Sequence, residues 1–198
     1  MTPKEFGQYS EHLNQETKEY LRQVFTVCRY QAFALSVAGM SLGRSRLGIL
    51  NELTIDTLRI ITNDDPFLYE HERNQGIYEY LEEFQTKLKE GAVKVPEVTF
   101  SEQQRQFLTR LTVLLEWGWE IANEQPDPVL LPMTYHPIGM AIGITRDMLT
   151  PLVDREEVEK KFREIKDDSQ KLRDFYDEFR LDVRFTLRPL PPQDVLNQ

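Results

Sequence analysis

The chain has 198 residues, enough for one hydrophobic core, and its 40% hydrophobic, 11% aromatic and 29% charged composition excludes a wholly disordered protein. Its 24 Lys plus Arg against 33 Asp plus Glu give a formal charge of −9, which argues against generic binding to phosphate backbones or anionic membranes. Cys28 is the single cysteine, Met1 to Glu5 lack the basic and apolar regions of a secretion signal, and the most apolar run, Ala32 to Leu42, falls short of the roughly 20 residues of a membrane span, so a cytoplasmic protein is expected.

In chain order, Thr2, Pro3 and Glu5 form a helix start, after which Leu13, Thr17, Tyr20, Val24 and Val27 repeat at helical spacing. A break is expected near Gly39 to Gly43. Leu47, Leu50, Leu53, Leu58 and Ile61 carry a second helix, and Ile77, Leu81, Phe84 and Leu88 a third that starts at Pro66 and runs to Gly91. From Ala92 to Phe100 the period changes to alternation interrupted by Pro96, which fits an edge strand or an extended linker. Ser101 and Gln104 form a capping box that opens a helix through Phe107, Leu111, Leu114 and Ile121. Residues 129–149, with Pro132, Pro137, Gly139 and Gly143, lack a clear period. Thr150-Pro151 starts a long helix in which Val158, Phe162, Ile165, Ser169, Leu172, Tyr176 and Phe179 follow a four-three spacing. Leu181, Val183, Phe185 and Leu187 then alternate with polar residues, which predicts a switch to strand before the prolines at 189, 191 and 192.

The predicted fold is mainly α (α+β): a single helical domain over 1–188, a bundle of five or six helices with a small β element from 92–98, 129–135 and 181–188, and a flexible Pro-rich tail over 189–198.

No arrangement of residues fixes a reaction. His12, His71 and His136 lack the Glu three positions earlier that di-iron bundles use, and His71-Glu72 meets Gln75 where a zincin needs its second His. Acidic pairs such as Asp64-Asp65, Glu82-Glu83 and Asp167-Asp168 are the ordinary content of turns and wet helix faces. There is no phosphate-binding Gly-rich loop and no nucleophile elbow, and Cys28 falls on an apolar stripe. No metal and no cofactor is expected.

Charge is unevenly spread: Lys18, Arg22, Arg29, Arg44 and Arg46 stand against Glu19 alone within residues 17–50. Such a patch on an acidic protein suits an acidic protein partner or a second copy of the chain. The aromatic seam of Phe162, Leu172, Tyr176 and Phe179 is the other candidate interaction surface. These features point to a non-enzymatic protein-binding module, an adaptor, regulatory or assembly factor. The alternative is a small-anion or ligand-binding domain, or an enzyme, with a pocket at 129–149. There Tyr135, His136 and Arg146 would hold the anion, and Arg44 and Arg46 are further anion contacts beside glycines. Nucleic-acid binding through the basic patch stands last, against the net charge.

Overall fold

The computed structural model describes residues 13–37, 45–62, 76–124 and 136–187. They form seven α-helices: α1 (Gln15–Val37), α2 (Arg46–Thr62), α3 (Ile77–Lys89), α4 (Glu102–Glu124), α5 (His136–Leu149), α6 (Arg155–Ile165) and α7 (Ser169–Leu187), with a 3-10 turn at Thr150–Leu152 between α5 and α6. Among the described residues there is no strand. The expectation of a mainly helical bundle holds, whereas the five-or-six count and the β element do not; segment 129–135 and the Gly39 to Gly43 break lie outside the described residues, as do the tail and the start at Thr2.

Local chemistry sets the helix ends. Asn14 caps α1 by accepting from the Thr17 amide at 2.7 Å. Gly91, at φ 68°, closes α3: its amide bonds the Leu88 carbonyl and that of Ala92 the Lys87 carbonyl, the paired contacts of a Schellman ending. The capping box of α4 forms as expected, with the Ser101 amide on Gln104 Oε1 at 2.9 Å and the Gln104 amide on Ser101 Oγ at 3.2 Å.

Three departures from expectation have local causes. The long helix from Thr150 to Phe179 is cut in two because Asp154 accepts from the amides of Glu156 and Glu157, and Asp168 from those of Gln170 and Lys171, making each aspartate an N-cap. The 181–188 strand is replaced by the last turns of α7, where Phe179 and Val183 turn inward while Leu181 and Phe185 face outward, so half of the alternating apolar residues are not core at all. Residues 92–98 are extended but unpaired, laying Val93 and Val98 on the core on the way to α4.

Helix α5 is central, packing on α1, α3 and α4; α2 contacts α1, α4 and α7, and α6 lies on α4 and α7. The main core runs from Leu21, Val24 and Phe25 through Leu50 and Leu58 to Leu108, Leu111, Met148 and Phe179. Glycines bring helices close at two points. A Cβ at Gly118 would lie 2.4 Å from Leu50 Cδ2, and one at Gly143 would lie 2.7 Å from the Trp119 ring. Buried threonines at 54, 57, 62, 112 and 145 each donate to the carbonyl four residues earlier in their own helix. Hydrogen bonds between elements distant in sequence include Tyr20 Oη to the Met148 carbonyl at 2.8 Å, Gln104 Nε2 to the Ile61 carbonyl at 3.4 Å, and Arg110 to Asp182.

Candidate functional site

Three residues that the sequence suggested separately meet at one place. Arg46 from the first turn of α2, and Leu172 and Tyr176 from α7, line a groove of about 320 Å³ with Ile49, Trp117, Ser169, Arg173 and Asp177. The floor of this groove is apolar because Ile49, Trp117 and Leu172 fall on the inner edges of three amphipathic helices. Its rim carries Arg46 and Arg173, both exposed and neither in an ion pair among the described residues. Arg46 sits at the start of α2, where Ser45 Oγ accepts from the Gly48 amide at 2.9 Å. A cation at that end of a helix opposes the helix dipole, so an approaching anion relieves it.

Tyr176 supplies the polar element inside. Its hydroxyl is buried and has no hydrogen-bond partner among the described residues, and desolvation pushes its pKa up, with Arg180 opposing and Asp177 and Glu52 adding to the shift. A buried hydroxyl left unpaired costs about 1 to 3 kcal/mol.

Arg146 belongs to a different groove, of about 510 Å³, lined also by Glu116, Asp147, Arg155, Glu159 and Phe162. Its guanidinium is already engaged: it bonds Asp147 Oδ1 at 2.8 Å through Nη2 and 3.0 Å through Nε, lies 3.7 Å from Glu116 Oε2, and stacks 4.7 Å above the Trp119 ring. Burial raises the Glu116 carboxyl above its usual range, with Arg146 pulling the other way. This arrangement fixes α5 against α4 and has its charges answered from within.

The pocket expected at 129–149 is not an irregular loop over its described part. Residues 136–149 are α5, with Ile138, Ala141, Ile142, Ile144 and Met148 in the core, because Gly139 and Gly143 serve close packing on α4 instead of breaking the helix. Arg44 and Tyr135 lie outside the described residues, as does the side chain of His136.

No family model, curated protein or solved structure matches this chain.

Within the aromatic seam, Phe179 is fully buried, Phe162 packs on Val158 and Ile165, and Leu172 bridges the main core and that satellite cluster. The seam is a contact between helices of one chain, and only its Leu172 and Tyr176 edge opens into the groove. In the basic segment, Arg22 pairs with Glu19 at 3.1 Å. Sequence reasoning missed Ile49, Trp117 and Arg173. Arg173 was detectable as a cation directly after Leu172, whereas nothing in the order of residues marks Ile49 or Trp117 as more than an apolar residue of a helix. Among the described residues no three of His, Cys, Asp and Glu gather as a metal site, and no helix is long and apolar enough to cross a membrane.

Proposed function

We infer that the chain is a non-enzymatic protein-binding module and that the α2, α4 and α7 groove takes a partner segment combining a bulky apolar side chain with acidic residues. The supporting observation is the convergence of an apolar floor, edged by Leu172 and Tyr176, with two arginines, Arg46 and Arg173, in one concavity. The apolar side chain fills the space over Trp117 and Leu172, and carboxylates meet the rim. Rim charges of this kind set the choice of partner and the rate of encounter more than the affinity. An adaptor, regulatory or assembly role fits a surface that offers an apolar floor and rim charges for recognition.

Panning a random-peptide display library against the full chain tests this. Enriched peptides should carry acidic residues beside an aromatic or aliphatic one. Each reversed rim contact is worth roughly 0.5 to 1 kcal/mol, so binding should weaken about tenfold in the Arg46→Glu/Arg173→Glu variant, and it should fall as salt rises. Peptides without acidic residues, or peptides that bind the double variant undiminished, would overturn the reading.

A further inference from the structure

Helix α7 keeps one face without a neighbour among the described residues. Phe179 and Val183 are fully buried on its inner side, and at 100° per residue Leu181 stands diametrically opposite, 48% exposed, with Phe185 one turn further at 47%. Two large apolar side chains at i and i+4 make a continuous patch on the outside of the bundle. On the outward arc the charges are polarised: Asp174, Asp177 and Glu178 precede Leu181 and Arg184 follows it, all exposed, while Arg180 and the Asp182 that pairs with Arg110 stand about 100° to either side. On the helical wheel Asp177 and Arg184 lie seven residues apart on the same flank of Leu181, and Glu178 and Phe185 lie seven apart on the other. Neither Asp177 nor Arg184 forms an ion pair among the described residues.

We propose that this face of α7 binds the same face of a second copy of the chain, antiparallel, about a twofold axis beside Leu181. In such an isologous contact every pairing occurs twice. Leu181 meets its own copy, Asp177 of each chain meets Arg184 of the other, and the methylenes of Glu178 cover the opposing Phe185 ring. Parallel alignment would set the acidic halves against one another and Arg184 against Arg184, so charge rejects it. A partner of uniform sign would meet half of the face with like charge, whereas an antiparallel copy matches both halves. A single helix pair of this length, about 28 Å, buries less than about 1,200 Å², so the association is weak and reversible. The surface adjoins the peptide groove at Asp177, but its apolar centre is separate, since the lining of the groove includes neither Leu181 nor Phe185.

The test is sedimentation velocity on the full chain between roughly 10 μM and 1 mM, the range of weak complexes. A reversible monomer–dimer equilibrium is expected. Asp177→Arg and Arg184→Asp should each weaken it about tenfold, since each substitution acts twice, and the double variant Asp177→Arg/Arg184→Asp should return it to within about threefold of the parent. Leu181→Asp should abolish the dimer with an unchanged far-ultraviolet circular dichroism spectrum. The proposal fails if the chain is monomeric throughout, or if the double variant dimerises no better than the single ones. It fails equally if a chain ending at residue 188 dimerises while the full chain does not, because the segment 189–198 would then be what covers the face.

Discussion

Replacement of Phe179 by Ala separates a seam that holds the fold from one that waits for a partner. The ring is fully buried, tilted 56° to Phe107 with centroids 5.8 Å apart, and the Arg110 guanidinium lies 4.7 Å from its centroid while pairing with Asp182. Removing about 150 to 200 Å² of buried aromatic surface at about 25 cal/mol per Å² costs about 4 to 5 kcal/mol, within the 3 to 5 kcal/mol that buried Phe→Ala changes generally cost. The loss is aggravated because Arg110 Nη2 is already buried without a partner among the described residues, and it would face a void. For a domain stable by about 5 to 15 kcal/mol, this consumes a large share of the margin. Urea unfolding followed by far-ultraviolet circular dichroism should show the midpoint falling by about 2 M, at a slope of about 2 kcal/mol/M. Phe185→Ala, six residues on and exposed, should cost less than about 0.5 kcal/mol in the same assay. A loss below about 1 kcal/mol for Phe179→Ala at unchanged slope would refute the placement of this ring in the core.

Other outcomes follow from the same coordinates. Gly143→Ala gains about 1 kcal/mol of helix propensity but drives a Cβ into the Trp119 ring, which Arg146 covers from above, so a net loss of about 1 to 2 kcal/mol is expected in thermal unfolding; a raised midpoint would show that the ring moves freely. Ser101→Ala removes an acceptor from the α4 capping box and should cost about 1 kcal/mol in urea; an unchanged midpoint would mean that solvent caps the amide equally well. Burial pushes the Cys28 thiol and the Tyr20 and Tyr80 hydroxyls up to about 12. The folded chain therefore holds these protons when the unfolded chain has released them, so stability is intact below about pH 9 and should fall as pH rises toward 12, the opposite of a group with a depressed value. Urea midpoints measured across that range check the sign. Cys28 should resist Ellman's reagent at pH 8 until the chain unfolds, and stoichiometric labelling of native protein would contradict its burial.

What could be read from residue order was what is decided within one or two helical turns. The Ser101 and Gln104 box, the apolar stripe of α1 and the helical positions Leu81, Phe84 and Leu88 are of this kind. Failures arose where two local codes overlapped. Asp168 interrupts a continuous four-three spacing because its carboxylate serves backbone amides better than the helix interior would. Leu181 to Leu187 satisfies both a strand period and, through Val183, a helical one, and the packing of Val183 decides between them. Residues 136–149 show no clear period because what Gly143 serves, contact with the Trp119 ring of a neighbouring helix, exists only in three dimensions. The groove was half visible for the same reason: Arg46, Leu172 and Tyr176 are recognisable by type, but their meeting over Trp117 depends on how α2, α4 and α7 are laid together.

The threonines that bond within their own helices bear on how such a bundle can change over time. A polar group paired only with its own backbone asks little of the helix opposite, so exchanging Thr54, Thr57 or Thr112 for valine leaves no orphan across the interface, whereas Thr145 also bonds the Cys28 side chain of α1. Fidelity of assembly then falls to a small set of directional links, among them the Tyr20 bond to Met148, the Gln104 bond to Ile61 and the Arg110 pair with Asp182, together with the shapes met at Gly118 and Gly143. Substitutions in the threonine rows should be tolerated widely, while those at the links would let helices slide along one another and settle in new registers. Sequence drift is thus channelled: the interior can be rewritten along each helix, but only a handful of side chains hold the order in which the helices are stacked.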